Sequence, residues 1–365
     1  MSILLVILIF SMLVFVHELG HFLVAKRAGI KVEEFGFGFP PRLFGFRRGE
    51  TVYSLNLLPF GGFVRLLGEG GESENNPRSY SAQPVRTRFN VIAAGVLMNL
   101  ITAWLLFSIA ALIGMPPVTS EKPFVGGKYL HEPHLEVFEM TSDSPAAVAG
   151  IKIGDGLYSG RDNNGEVVKF ESAEQLSKYT KEHAGQEIAF ETGPYEDRQE
   201  KIIKLRETNA TGGYLGVTPF VTSKTIYPVW AAPLAGLKET VSLSVQTVVA
   251  LGKFFIGLGS TGQVSEDVAG PVGIVLILRQ LMKFGISFVL IFIASISVSL
   301  AVLNILPIPA LDGGRILFLI YNKLSEIFNF RRISQVAENK FHTLGFVSLL
   351  ILMVLITVSD LGRYR

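Results

Sequence analysis

His17, Glu18 and His21 stand near the start of a 365-residue chain in a spacing that could do chemistry. On a helix, residues four apart project from one face, so the two imidazoles would sit one turn apart. Glu18 follows the first histidine and can reach the same open side. This H-E-x-x-H pattern offers two nitrogen ligands for zinc and a carboxylate placed to take the proton of a metal-bound water. The pentapeptide also occurs by chance on ordinary helices, but here it lies in an apolar run from Ile3 to about Ala25. An ionisable residue inside a bilayer costs about 2.5–3.5 kcal/mol on insertion scales, so an intramembrane cluster reads as functional by default. The bland alternative is polar residues lining a helix contact or snorkelling to the interface.

A second stretch, Asn304-Ile305-Leu306-Pro307-Ile308-Pro309-Ala310-Leu311-Asp312-Gly313-Gly314, breaks a later apolar run. Its prolines remove backbone donors, and its two glycines allow close approach of the backbone to whatever Asp312 faces. Irregular backbone at membrane depth is tolerated only where it is buried in protein or lines a cavity. Asp312 is therefore the candidate third ligand. Two His and one Asp leave one position for water, the catalytic pattern of a single Zn2+. The chain has 0 cysteines, which excludes thiolate zinc sites, disulfides and a cysteine nucleophile. A metzincin extension would need Gly and His where the chain has Val24 and Arg27. Glu33 and Glu34 are weaker ligand candidates at a loop entrance.

The elements that must hold these residues read as a polytopic α-helical membrane protein. Mean hydropathy is positive, and the net charge of +2, with no basic tract, excludes nucleic acid as partner. Four transmembrane helices are expected, at about 3–25, 91–115, 284–306 and 345–358. The first has no basic n-region and no small-x-small cleavage site after it, so it is read as a retained span. Residues 26–89 are rich in Lys and Arg, which makes this loop cytoplasmic and the N-terminus external. The first membrane half, 1–115, would carry a membrane-associated β-hairpin element at about 31–67. In it Thr51–Leu57 is a strand, Pro59-Phe60-Gly61-Gly62 a turn and Phe63–Leu66 the return strand. Residues 69–84 are polar and predicted mobile. Asn99 in the second span reads as a helix-packing contact, and Pro116-Pro117 ends that span.

Residues 118–229 have the composition of a soluble domain. Within them Ser144-Pro145-Ala146-Ala147-Val148-Ala149-Gly150 predicts a short helix from Pro145 with a glycine C-terminus, then a tight turn into a strand. The stretch resembles the Ser-Pro-Ala…Ala-Gly-x-x-x-Gly-Asp signature of PDZ domains, which implies a β-sandwich that takes extended peptide by strand addition. A second helix is expected at 173–182 and a closing strand at 213–219; His131, His134 and His183 read as surface residues. Residues 230–283 are read as amphipathic surface helices on the outer leaflet, and 284–365 as the second membrane half, with a loop at 315–342. Parity supports this division. The first and third spans both run inward, so His17, His21 and Asp312 can meet at one depth. An extra span at 233–258 would move Asp312 to the opposite face.

Together, H-E-L-G-H, N-x-x-P-x-P-x-L-D-G-G, G-P-V-G-I at 270–274 and the PDZ-like insert resemble the site-2 protease family of intramembrane zinc metalloproteases. Within it they resemble the bacterial regulator-of-sigma-E protease type, whose enterobacterial form carries two PDZ domains where one is read here. The resemblance implies His17, His21 and Asp312 as zinc ligands and Glu18 as general base. It makes Asn304 a substrate-positioning residue and Phe60-Gly61-Gly62 part of a membrane-reentrant β-element. The implied activity is hydrolysis within or near the transmembrane segment of single-span membrane proteins, such as anti-sigma factors or signal-peptide remnants, pre-trimmed by another protease. The implied location is the bacterial cytoplasmic membrane, with both termini and the PDZ-like domain outside. A transmembrane helix must unwind before cleavage, and an edge at Thr51–Leu57 or Phe63–Leu66 would replace its lost hydrogen bonds. The rivals are a non-catalytic PDZ-bearing receptor or chaperone with a structural metal, and a transporter with a midplane ion site.

Overall fold

The computed structural model describes residues 2–70, 75–116, 118, 119, 122–261 and 270–363. Pro117, residues 71–74 of the expected polar stretch and residues 262–269 of the expected surface helices lie outside them. In chain order the elements are α1 (Ser2–Arg27), β1 (Val32–Arg48), β2 (Thr51–Leu66) and α2 (Val85–Ile113). Next come β3 (Lys128–Met140), α3 (Pro145–Val148), β4 (Gly156–Arg161), β5 (Val167–Lys169), α4 (Ala173–Glu182), β6 (Glu187–Gly193), β7 (Gln199–Lys204) and β8 (Val217–Ile226). The chain closes with α5 (Ala232–Thr261), α6 (Pro271–Leu281), α7 (Ile286–Ile305), α8 (Asp312–Phe328) and α9 (Gln335–Arg363). They form two compact units, one of residues 1–107, 236–279 and 292–365, the other of residues 108–235 and 280–291.

In the first unit, α1 is apolar almost throughout and ends where Lys26 and Arg27 meet the negative end of the helix dipole. Gly29, at φ 75°, turns the chain into β1. The β-element differs from the expected hairpin. Thr51–Leu57 and Phe63–Leu66 do not pair with each other; both flank the segment Glu34–Phe37, which lies between them. Phe35 is partnered by Tyr53 on one side and Val64 on the other, and Gly36 by Ser54 and Phe63. Residues 42–48 then cover the far side of 51–56. Thr51–Leu57 is therefore an inner segment with no free edge, and the strand edge beside α1 belongs to Gly62–Leu66. The reason lies in β1, which is 17 residues long and bends back on itself, so it supplies two pairing segments where a simple hairpin supplies one.

Among the described residues, five helices are long and apolar enough to cross a membrane: α1, α2, α5, α7 and α9. One of them, α5, falls where surface helices were expected. The stretch read as a loop at 315–342 is mostly helix, α8 and the start of α9, and the short span expected at 345–358 is the later part of a 29-residue helix. Charges among its apolar residues and the asparagine turn at Asn329 hid this. Asn329 sits at φ 57° as a left-handed helix cap, and on α8 Ile316 and Leu319 are buried while Leu317, Ile320 and Leu324 are exposed. An apolar character on both faces blurs the helical period.

The second unit holds a sheet in the order β7-β6-β4-β3-β8, with β5 paired to β4. Its core is built on Leu135, Val137, Leu157, Ile188, Phe190 and Ile203, all at most 2 % exposed. The short helix forms as expected. Ser144 caps α3 by accepting from the Ala147 N–H at 3.1 Å, Pro145 opens it, and Gly150 follows at φ 73°. Asp155 then accepts from the Lys152 N–H at 2.9 Å to tighten the turn into β4. The closing strand starts later than expected and runs on to Ile226, pairing with β3 along its length. His134 is not a surface residue. It is 5 % exposed, donates through Nδ1 to Glu132 O at 2.7 Å and stacks near Tyr158.

Candidate metal centre

His17 and His21 face α2, and both are nearly buried, at 6 % and 8 % exposure. Asp312 reaches them from the first residue of α8. Its Oδ2 lies 3.0 Å from His17 Nε2 and 3.3 Å from His21 Nε2, and the two Nε2 atoms are 3.1 Å apart. Ligand atoms about 2.0–2.2 Å from a tetrahedral zinc stand about 3.3–3.5 Å apart. The three donor atoms thus form a near-equilateral triangle of the size of one tetrahedral face. Two nitrogens and one carboxylate oxygen suit zinc by type as well.

The ring orientations fit the same role. His21 Nδ1 donates to the main-chain oxygen of Val91 at 2.7 Å, which leaves the lone pair on Nε2, toward the triangle. His17 Nδ1 has Asn99 Nδ2 at 3.3 Å. Asn99 is therefore at the centre and is more than the packing contact read from the sequence. Two glycines let the helices come together here. A Cβ on Gly20 would lie 2.3 Å from Ala94 O, and one on Gly95 would lie 2.4 Å from His21 Nε2 and 2.8 Å from His17 Cε1. Val91, Gly95 and Asn99 are one turn apart along one face of α2, and that face is the floor of the site.

Asp312 is delivered by the helix break. Cβ atoms on Gly313 would fall 2.2 Å from the carbonyl oxygens of Ile305 and Leu306, and on Gly314 2.4 Å from Ile308 O. The glycines serve the packing of α8 against the chain leaving α7, not an approach to the histidines. Ala310, at φ 80°, donates its N–H to His342 Nδ1 at 2.8 Å, so α9 anchors the bend two residues before Asp312.

Glu18 is half-buried in the next position of α1, and its Oε2 accepts from the Val64 N–H at 3.2 Å. The carboxylate expected to move protons is thus tied to the edge segment Gly62–Leu66. Gly61, at φ 96°, packs on Val14, and Gly62 packs on Phe15, one helical turn before His17 and Glu18. The Ser11 hydroxyl donates to Pro59 O, and the Phe60 side chain is 58 % exposed. Asn304 lies in the last turn of α7, half-buried; among the described residues its side chain makes no hydrogen bond. Glu34 is no ligand. Its carboxylate is taken by Arg42 at 2.6 Å, Ser54 at 2.7 Å and Arg65 at 3.5 Å, inside the β-element. The Gly95-x-x-x-Asn99 pair was visible as a small residue and an amide one turn apart in an apolar helix. Val91 gave no such signal, because it acts through its backbone.

The family model of peptidase family M50 matches this chain over residues 5–352. A Clostridium perfringens protein that carries the provisional name zinc metalloprotease is 36% identical over 364 residues, which is 99% of this chain and 98% of the relative. The regulator of sigma-W protease RasP of Bacillus subtilis is 30% identical over 448 residues, 98% of this chain and 97% of the relative. The zinc metalloprotease RasP of Geobacillus kaustophilus is 27% identical over 442 residues, 100% of this chain and 98% of the relative. The chain belongs to peptidase family M50, and is with it a zinc metalloprotease.

Proposed function

We propose that this metalloprotease hydrolyses a peptide bond within or near the transmembrane segment of single-span membrane proteins, with His17, His21 and Asp312 as zinc ligands and Glu18 as general base. The observation that carries the proposal is the junction at Glu18. One carboxylate stands beside a three-donor zinc triangle and holds the N–H of an outward-facing strand edge.

His17, His21 and Asp312 would hold the zinc, which would supply Lewis-acid chemistry at the scissile carbonyl and at the attacking water. Glu18 takes the proton of that water and returns it to the leaving amine. A transmembrane helix keeps its carbonyls in internal hydrogen bonds, so the segment to be cut must unwind, and its freed backbone groups need partners. The edge Gly62–Leu66 offers them by strand addition. When the unwound segment pairs there, its backbone takes over the Val64 N–H and Glu18 is released beside the substrate. We assign the half-buried amide of Asn304 and the exposed ring of Phe60 to holding the same segment. Water arrives from the cytoplasmic side, supported by a polar cavity of about 290 Å³ whose wall includes Arg88, Arg315, Asn322, Glu338 and His342. Arg315 is one helical turn from Asp312.

Four crossings, by α1, α2, α7 and α9, suit this site better than five. Helix α5 has the length to cross, but a lone crossing there would carry Asp312 to the membrane face opposite His21, whereas their side chains lie 3.3 Å apart. We therefore read α5 as a surface helix, the sheet unit as an extracytoplasmic PDZ-like domain, and both termini as external. Strand β8, the last in its sheet, is the edge on which that domain would hold extended peptide. The name of the B. subtilis relative, a regulator of sigma-W protease, supports anti-sigma factors as substrates, and we read such substrates as trimmed beforehand by another protease.

The test uses full-length protein in nanodiscs, wild type and Glu18→Gln, with zinc content and cleavage of a panel of single-span substrates measured together. Glu18→Gln should keep one zinc and lose about 10²–10⁴-fold in rate. Equal cleavage by both proteins, or none by wild type across the panel, sinks the proposal.

A further inference from the structure

Asn99 is 1 % exposed in the middle of α2, and its side chain is not explained by helix packing. Its Oδ1 is buried and has no hydrogen-bond partner, while its Nδ2 lies 3.3 Å from His17 Nδ1. An orphaned carbonyl oxygen inside an apolar helix bundle is costly, and the polar atom nearest the amide is the ring nitrogen of His17. The backbone at this point is held as well: Ser297 of α7 donates its hydroxyl to Asn99 O at 2.8 Å. The amide can therefore turn about its terminal bond, but it cannot drift away from the ring.

We propose that Asn99 is a positioning residue of the zinc site, whose side-chain oxygen takes the Nδ1 proton of His17 and so directs the His17 Nε2 lone pair into the triangle with His21 and Asp312. This rests on the zinc-protease reading above. Amide oxygen and nitrogen are nearly equal in size, so a half-turn of the amide exchanges them without moving any neighbour. In that orientation Oδ1 accepts from the His17 Nδ1–H, which must carry the proton when the Nε2 lone pair faces the triangle, and the amide NH2 takes the place that Oδ1 left. Asn99 then does for His17 what the Val91 main-chain oxygen does for His21, two turns along the same face of α2. Both ligand histidines would have their tautomers set by one helix. Between the two, Gly95 leaves the room that the rings need.

An amide can serve either tautomer of His17 by turning; a carboxylate serves only the Nδ1–H form, and a hydrocarbon serves neither. Three substitutions separate these roles. Full-length wild type, Asn99→Asp, Asn99→Leu, Asn99→Ala and His17→Ala are compared in nanodiscs by competing Zn2+ against a chelator and by recording the visible spectrum of bound Co2+. Melting in excess chelator checks that each variant folds. Asn99→Leu and Asn99→Ala should bind zinc about 10–100-fold more weakly than wild type and change the Co2+ bands, the usual scale for loss of a group that orients a ligand. Asn99→Asp should bind within about threefold of wild type, or more tightly, with wild-type bands, as a carboxylate behind a ligand histidine does. If both apolar variants bind zinc as wild type does, or if Asn99→Asp is as weak as they are, the acceptor role of Asn99 is overturned. If wild type binds zinc no better than His17→Ala, the metal-site reading itself fails, and that outcome is distinct from the other two.

Discussion

Replacing Gly95 by alanine sets two effects of opposite sign against each other. Alanine is the better helix former by about 0.8–1.0 kcal/mol in a helix interior, so propensity alone predicts a more stable α2. The added methyl, however, would sit 2.4 Å from His21 Nε2, where ordinary contact begins at 3.4 Å. The ring or the helix must give way by 3.4 − 2.4, roughly 1 Å, whereas zinc–ligand distances hold to about ±0.2 Å. The ring is also tied to Val91 O at 2.7 Å, and breaking that bond costs about 0.5–1.5 kcal/mol. We expect zinc affinity to fall at least about 100-fold, which is about 2.8 kcal/mol. At a zinc concentration about 100 times the wild-type Kd, zinc stabilises wild type by about 2.7 kcal/mol but Gly95→Ala by only about 0.4 kcal/mol. The assay is thermal melting in nanodiscs with and without zinc, beside a chelator titration. The propensity gain and the loss of the His21–Val91 bond nearly cancel, so the zinc-free melting point should change little or fall slightly, while the zinc-dependent shift nearly disappears. A variant whose zinc shift equals that of wild type would refute the idea that Gly95 keeps space for the site.

Val64→Pro removes the N–H that Glu18 holds, at a strand edge where proline is tolerated; zinc binding should persist, while cleavage of membrane-embedded substrates drops roughly tenfold, as expected for one or two lost backbone hydrogen bonds. Unchanged cleavage would exclude this edge as the docking strand. His342→Ala leaves the Ala310 N–H without its partner and should cost about 1–3 kcal/mol in melting and weaken zinc binding, whereas His342→Asn, with an acceptor at the same reach, should recover most of both. Equal behaviour of the two variants would remove His342 from the support of Asp312. Glu50 is held below the usual carboxylate value of 4.5, chiefly by the Arg78 guanidinium and also by Lys26. A lowered folded pKa contributes stability above the unfolded value that is lost as pH falls through the folded one. Glu50→Gln should therefore melt below wild type at neutral pH, with the gap closing once the pH drops under 4.5; a gap that widens on acidification would contradict this.

What the sequence determined by itself is what depends on local geometry. Four residues make about one helical turn, so His17 and His21 had to share a face wherever α1 lay. Prolines and glycines around Asp312 had to end one helix and begin another, and Ser144-Pro145 with Gly150 had to bracket a short helix. The break made Asp312 a candidate partner of the histidines, and the folded chain brings its Oδ2 to 3.0 Å and 3.3 Å from their Nε2 atoms. Tertiary structure alone decided the rest, because the deciding groups have no side-chain signature or act at a distance. Val91 contributes a carbonyl that any residue carries, and Gly95 contributes the absence of a side chain. Asn99 looked like a packing residue until His17 lay beside it, 82 positions away in the chain. The strand edge next to Glu18 was equally hidden. Whether Thr51–Leu57 or Gly62–Leu66 faces outward depends on where the bent β1 strand inserts, and non-local pairing of this kind is not written in the alternation of either strand.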